Sequence, residues 1–106
     1  MAIYELVEWQ VVPGKMEEIL KLEEAWLAYV RSTGGNPIGG FTTAVGDTNR
    51  LLSLIAYEDF GQFGRSVQAA QQTPAELQRM VQAASGMYMG SKISLLVPTA
   101  GSAELK

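Results

Sequence analysis

The sequence lacks both cysteine and histidine, and this removes several kinds of chemistry at once. Without cysteine there is no disulfide, no thiolate nucleophile, no Cys-ligated zinc and no Cys-held iron–sulfur cluster. Without histidine there is no side chain whose ordinary pKa lies near neutrality, and the commonest metal and haem ligand is missing. Catalysis would have to use carboxylates, tyrosines, lysines or a bound cofactor, and we predict neither a metal nor a cofactor.

The sequence is also poor in clustered positive charge and in long apolar runs. Eight Lys and Arg residues are scattered among 11 Asp and Glu residues, and the net charge is -3, so a nucleic-acid surface is not predicted. No apolar run approaches the length of a membrane span, and the first residues show no basic-then-apolar leader pattern. We therefore expect a soluble, cytoplasmic protein.

What is present is organised around residues 39–57, which predict a strand, a polar turn and a second strand. Both arms are rich in apolar, β-branched and aromatic residues, as strands are. Gly-Asp-Thr-Asn at positions 46–49 supplies residues that tolerate a tight turn. This hairpin is the element against which we expect the rest of the chain to pack.

The other elements follow from periodicity and from stop signals. The predictions are a strand over 2–12, a helix from Met16 to about Arg31, a helix capped by Asp59, a helix with Thr73 at its cap and Pro74 at its first position, and a strand over 92–97. The apolar stripe of the first helix is interrupted by Glu23. We expect one domain over residues 1–98 and a flexible or partner-contacting tail over 99–106.

This order of elements predicts an α+β fold of the ferredoxin-like type, a four-stranded antiparallel sheet with its helices on one face. If one alternating set of residues packs on the helices, the other set stands on the uncovered face. We assign to the uncovered face Val7, Trp9, Phe41, Ile55 and Tyr57. Because so much apolar area invites association, we expect a homodimer in which two sheets meet face to face.

Glu5 is the best single candidate for chemistry. It shares a strand face with Val7 and Trp9, and apolar neighbours raise a carboxyl pKa towards the range of a general acid or base. The commoner alternative is a carboxylate at the rim that pairs with Lys or Arg. Glu8 lies three residues further along the strand and so on the other face, which does not support a glycosidase-like pair.

The aromatic and apolar residues of the sheet predict either a pocket for a flat apolar ligand or a packed dimer core, and the sequence leaves both open. Candidate ligand-binding residues are Val7, Trp9, Phe41, Thr43, Ser53 and Ile55. Candidate catalytic residues are Glu5 and Tyr57, whose hydroxyl can also orient a ligand.

Three stretches resemble the NIPSNAP-like family of the dimeric α+β barrel superfamily. They are Ile3-Tyr4-Glu5-Leu6, Val12-Pro13-Gly14-Lys15, and Gly40-Phe41-Thr42-Thr43 continuing through Val45-Gly46 and from Asn49 to Tyr57. The resemblance covers most of residues 2–98. It implies a small barrel built by two protomers, with a pocket between each sheet and its helices or its neighbour.

The chain departs from the family pattern at four positions where charged, polar or large aromatic side chains are common. An arginine is common in the family where this chain has Val7, an acid where it has Ala44, a histidine where it has Ser53 and a tryptophan where it has Ile55. Every replacement still suits a strand, so the resemblance in fold is unaffected. A reaction carried by that polar cluster elsewhere does not transfer to this chain.

Three functional hypotheses remain from the sequence. The first is a homodimeric domain that binds a small apolar or aromatic ligand in the barrel pocket. The second is a cofactor-independent oxygenase-like or isomerase-like enzyme that uses Glu5 or Tyr57 for proton transfer. The third is a purely structural or protein-interaction domain whose centre is filled by side chains.

Overall fold

The computed structural model describes residues 2–102, and the predicted order of helices and strands is confirmed. The elements are β1 (Ile3–Val11), α1 (Met16–Ser32), β2 (Asn36–Thr42), β3 (Arg50–Tyr57), α2 (Phe60–Ala70), α3 (Ala75–Ala83) and β4 (Tyr88–Leu96). No helix within this part of the chain is both long and apolar enough to cross a membrane.

The four strands form one antiparallel sheet in the order β2-β3-β1-β4. The predicted ferredoxin-like α+β fold is therefore confirmed. β1 and β3 are the two central strands, and directly paired residues of neighbouring strands share a face of the sheet. Val7 illustrates this, since it pairs with Ser53 on one side and with Ile93 on the other.

The first helix starts and stops where local signals place it. Pro13-Gly14 ends β1, with Gly14 in the left-handed region at φ 86°, and Glu17 and Glu18 lie in the first helical turn, where the helix dipole favours acids. Its buried residues are Ile19, Leu22 and Val30. The helix therefore presents its apolar stripe to the sheet.

The starts of the two later helices differ from each other. Asp59 caps α2 as predicted, since its carboxylate accepts a hydrogen bond of 2.8 Å from the backbone N–H of Gln62. The predicted cap of α3 is wrong. Pro74 occupies the N-cap position, and the hydroxyl of Thr73 instead donates to the carbonyl of Ala70 at the end of α2.

Both edge strands begin earlier than predicted, and β2 also ends earlier, at Thr42. β2 begins at Asn36 and so includes Pro37, which the sequence placed in a loop. An edge strand tolerates proline because one row of its N–H groups needs no partner in the sheet. β4 begins at Tyr88 rather than Lys92, and Met87 continues the contact by accepting a hydrogen bond of 2.9 Å from the N–H of Val12.

The core lies between the sheet and the helices in two clusters. One joins β1, α1, β3 and α3 and consists of Val11, Ile19, Leu22, Leu51, Leu77 and Ala84. The other lies at the opposite end of the strands and consists of Ile3, Val30, Ile55 and Tyr57. A cavity lies between these two clusters.

The predicted assignment of residues to the two sheet faces is wrong for Val7, Trp9, Ile55 and Tyr57. These residues stand on the face that the helices cover. Alternation along a strand shows which residues share a face. Both alternating sets in β1 are partly apolar, so the sequence does not show which set the helices cover.

Phe41 alone of that predicted set lies on the open face. The register between β2 and β3 shifts between Pro37 and Gly39, and this shift pairs Phe41 with Leu52. The open face carries Leu6 and Leu54 as a second cross-strand pair. Of the predicted tail, residues 103–106 lie outside the described residues.

Candidate functional site

A cavity of about 280 Å³ lies between the helix-covered face of the sheet and all three helices. Its floor comes from β1, β3 and β4 and its roof from α1, α2 and α3. The lining is mainly aliphatic and aromatic, with a few hydroxyls and two carboxylates. The wall includes Glu5, Val7, Trp9, Glu23, Trp26, Tyr29, Ser53, Ile55, Tyr57 and Tyr88.

The first polar pair in the wall joins neighbouring strands. The hydroxyl of Tyr57 donates a hydrogen bond of 3.1 Å to Oε1 of Glu5. Burial raises the pKa of the Glu5 carboxyl above its ordinary value, and the hydrogen bond from Tyr57 offsets part of that rise. Burial, followed by the negative charge of Glu5, raises the pKa of Tyr57 to about 12. At neutral pH Tyr57 therefore keeps its proton.

The second polar pair joins the helix to the sheet. The hydroxyl of Ser53, which is buried, donates a hydrogen bond to Oε2 of Glu23. Burial also raises the pKa of the Glu23 carboxyl, with the Ser53 hydrogen bond acting in the opposite direction. Gly40 in β2 leaves room for this carboxylate, since a Cβ at that position would overlap both of its oxygens.

Aromatic rings make up much of the remaining wall. Trp9 and Tyr88 meet edge to face with centroids 5.0 Å apart, and Trp26 and Tyr29 meet at a tilt with centroids 6.0 Å apart. The indole N–H of Trp9 is buried and has no hydrogen-bond partner within residues 2–102. Both arrangements are among those that aromatic pairs prefer.

Hydrogen bonds hold α2 against α1 beside the cavity. The hydroxyl of Tyr29 donates to the carbonyl of Ala69 over 2.6 Å, and the hydroxyls of Thr33 and Ser66 lie 3.1 Å apart. Two wall residues, Val67 of α2 and Ile93 of β4, are exposed, at 46% and 62%. The cavity therefore opens to solvent past apolar side chains.

Six of the eight predicted site residues lie in the cavity wall. They are Glu5, Val7, Trp9, Ser53, Ile55 and Tyr57. The other two do not join them. Phe41 lies 51% exposed on the open face, and Thr43 lies in the segment after β2. The cavity wall thus contains the predicted residues of β1 and β3. Phe41 and Thr43, which were predicted from the first arm of the hairpin, lie outside it.

Sequence reasoning missed the contribution of the helices and of β4. Glu23, Trp26 and Tyr29 enter the wall from α1, and Tyr88 enters it from the start of β4. A signal for Glu23 was present, because an acid that interrupts an apolar helical stripe must face the same way as the stripe. No equivalent signal marked Tyr88, which preceded the predicted strand.

The donor set suits an organic molecule better than a metal ion. Within residues 2–102, no group of three or more Asp or Glu side chains converges on one point. The cavity instead offers apolar surface, ring faces and two carboxylates that each already accept a hydrogen bond from a hydroxyl. Such a wall can bind, orient and exchange a proton with a small molecule.

A model of the NIPSNAP family matches residues 4–103 of the chain. Among solved structures, an uncharacterized NIPSNAP-like domain protein from Burkholderia xenovorans shares 25% identity at a TM-score of 0.80, with 99% of this chain and 91% of that one covered. A NIPSNAP family protein from Agrobacterium tumefaciens also shares 25% identity at a TM-score of 0.80, with 96% and 97% covered. No match was found among curated proteins.

Likeness of fold extends further than likeness of sequence. The protein Rv0793 from Mycobacterium tuberculosis has a TM-score of 0.67 at 10% identity, with 97% of this chain and 100% of that one covered. At that identity the similarity concerns the fold alone.

Proposed function

The chain belongs to the NIPSNAP family, and we propose that it binds a small, mainly apolar or aromatic molecule in the cavity between its sheet and its helices. The observation that carries this proposal is the cavity itself, a concave space walled by rings and aliphatic side chains between the sheet and the helices. Concave, mainly apolar spaces with a few convergent polar groups are where proteins bind small molecules.

The volume limits the occupant to a small molecule. Cavities that hold drug-sized ligands start at roughly 300 Å³, and an engineered cavity of about 150 Å³ accepts benzene. The 280 Å³ found here therefore suits a molecule of one or two rings. The hydroxyls and carboxylates of the two polar pairs supply the few directional contacts that fix orientation in such sites.

The two tryptophans of the chain give a direct test, because both Trp9 and Trp26 line the cavity. We expect 2-naphthalenemethanol, a neutral two-ring probe, to shift both indole N–H cross-peaks in a heteronuclear NMR titration and to saturate. Val7→Phe should abolish the shifts, since it adds a ring at the centre of the cavity floor. Val45→Phe is the matched control, because Val45 is 95% exposed in the hairpin turn.

A cavity that the probe does not enter contradicts the proposal and favours the purely structural reading. The same conclusion follows if Val7→Phe and Val45→Phe leave binding equally intact, since the probe would then occupy another surface.

The open face of the sheet supports a second part of the proposal, that two copies pair through it. Leu6, Phe41, Leu52 and Leu54 stand there in cross-strand pairs, and no helix covers them. Their exposure ranges from half-buried to 51% for Phe41. A second copy is the partner that offers a surface of the same shape and apolar character, as isologous interfaces require.

Equilibrium sedimentation tests the pairing. We expect a dimer at micromolar concentration and a monomer for Leu54→Lys, which places a charge at the centre of the open face. The cavity lies on the other side of the sheet, so Leu54→Lys should still bind 2-naphthalenemethanol. A wild-type monomer at that concentration contradicts the pairing and leaves the cavity proposal standing.

The position of Glu5 favours a second candidate function, proton transfer to or from a bound molecule. A carboxyl with a raised pKa in an apolar wall suits a general acid or base, whereas Tyr57 keeps its proton at neutral pH and can act there as an acid but not as a base. In this reading the chain is a cofactor-independent oxygenase-like or isomerase-like enzyme. Turnover of an activated aromatic substrate that survives Glu5→Gln combined with Tyr57→Phe would remove both residues from the mechanism.

A further inference from the structure

We infer that the cavity selects molecules that carry a protonated amine on an aromatic or apolar body. This inference rests on the proposed binding function and names the class of ligand for the same site. It starts from the charges of the wall, which are of one sign. The wall contains Glu5 and Glu23, and among its described residues there is no Lys or Arg.

The two carboxylates have hydroxyl partners but no cation. Tyr57 donates to Glu5 and Ser53 donates to Glu23, and within residues 2–102 the single ion pair joins two other residues, Glu8 and Arg50. Both carboxylates are partly buried. Burial of a carboxylate without a counter-charge is costly, and a neighbouring positive charge relieves that cost. A ligand with an ammonium group supplies the missing charge, whereas a ligand carboxylate adds a third negative one.

The aromatic content of the wall points the same way. Five rings line the cavity, those of Trp9, Trp26, Tyr29, Tyr57 and Tyr88. Ring faces attract cations, and the attraction strengthens when the cation is shielded from water. The combination of ring faces with carboxylates and without basic residues is the chemistry by which proteins recognise organic ammonium groups.

The acids enter from two elements that the fold places on opposite sides of the cavity, Glu5 from the sheet floor and Glu23 from the helix above it. The remaining titratable groups that face the cavity are tyrosines, namely Tyr29 from α1, Tyr57 from β3 and Tyr88 from β4. α2 and α3 contribute no titratable residue to the wall. The two glutamates are therefore the only carboxyl groups in the described cavity wall.

A series of three probes of nearly the same shape tests the selection. They are 2-naphthylmethylamine, which is cationic at neutral pH, 2-naphthalenemethanol, which is neutral, and 2-naphthoate, which is anionic. We expect the amine to bind at least about tenfold more tightly than the alcohol, since a charge-assisted hydrogen bond and a ring face both favour it. The carboxylate should show no saturable shift of the Trp9 and Trp26 indole signals.

Two substitutions locate the source of the selection. Glu5→Gln and Glu23→Gln keep the shape of the side chain and its ability to accept a hydrogen bond, so each should reduce the advantage of the amine over the alcohol. The readout is the ratio of the amine affinity to the alcohol affinity in each variant, so a loss of binding common to both probes does not count as a loss of selection. Glu24→Gln is the matched control, because Glu24 adjoins Glu23 on α1 but is exposed and lies outside the wall.

The outcomes separate this inference from the function on which it rests. Equal binding of amine and alcohol, tighter binding of the carboxylate, or an amine preference that neither Gln variant reduces would overturn the selection while the cavity remains a binding site. Failure of all three probes to bind would overturn the proposed function and this inference together.

Discussion

Acidic residues on the two sides of the sheet have different kinds of partner. On the open face, Glu8 lies 2.7 Å from the guanidinium of Arg50, and both side chains are partly exposed to water. On the covered face, Glu5 and Glu23 each accept a hydrogen bond from a hydroxyl, and neither forms an ion pair with another residue among 2–102. Among these three partly exposed acids, the one on the open face is thus paired with a cation, and the two in the cavity wall are paired with hydroxyls.

This arrangement runs against what stability alone favours. A partly buried carboxylate is stabilised by a neighbouring positive charge, and apolar side chains are stabilised by close packing. Within residues 2–102 the covered face lacks both around the cavity, while the clusters at its two ends pack conventionally. Local departures of this kind are expected where a protein binds something, so the comparison itself supports a binding role for the covered face.

Adjacent leucines in β3 offer the largest test of the contrast between faces. Leu51 is completely buried among Val11, Ile19 and Leu22, so Leu51→Ala should lower the free energy of unfolding by about 2–5 kcal/mol. Leu52 is half-buried on the open face, and Leu52→Ala should cost about 1 kcal/mol or less in dilute solution. Urea denaturation at several protein concentrations measures both.

If two copies pair through the open face, the cost of Leu52→Ala rises with protein concentration and that of Leu51→Ala does not. Equal losses for the two variants in dilute solution would mean that the faces are equally protected, and the contrast would fail.

The sequence predicted the fold well because the fold depends on local signals. Alternation in β1 and β3, the stop at Pro13-Gly14 and the cap at Asp59 each operate over a few residues, and the order of elements then allows few topologies. The edges were less predictable. Pro37 argued against a strand, and its place at a sheet edge was not visible before the topology was known.

The candidate site was predicted only in part because it depends on which sheet face the helices cover. Glu5, Ser53 and Tyr57 share a face by simple alternation, so their grouping was accessible. The shift in register that turns Phe41 away is a tertiary feature, as is the approach of Glu23 to Ser53. No local pattern encodes either of them.

Gly40 allows a smaller and more specific perturbation of the covered face. A Cβ at this position would overlap the carboxylate of Glu23, which is the far end of a flexible side chain and can move. Gly40→Ala should therefore displace Glu23 from Ser53 and cost about 0.5–1.5 kcal/mol, the typical net value of one hydrogen bond. Urea denaturation measures the loss.

A double-mutant cycle with Glu23→Ala assigns the cause of that loss. In the Glu23→Ala background there is no carboxylate to displace, so Gly40→Ala should cost little. A loss of the same size in both backgrounds would show that the alanine disturbs β2 itself and not the polar pair.

The smallest expected effect concerns the pH dependence of stability. Burial raises the pKa of Glu23 in the folded protein above its ordinary value of 4.5, so the folded state holds the proton more tightly than the unfolded state. The free energy of unfolding then falls as pH rises through the interval between the pKa values of the unfolded and the folded state, and this loss of stability persists at neutral pH.

Glu23→Gln removes this loss and keeps an acceptor for Ser53. We therefore expect the variant to be slightly more stable than wild type at neutral pH, with the difference shrinking towards pH 4.5, in urea denaturation at a series of pH values. Glu24→Gln is the control for the loss of one negative charge, because Glu24 is exposed and lies outside the wall. A Glu23→Gln variant that is less stable than wild type at neutral pH would mean that the charged form of the Ser53 hydrogen bond outweighs the cost of burying the charge.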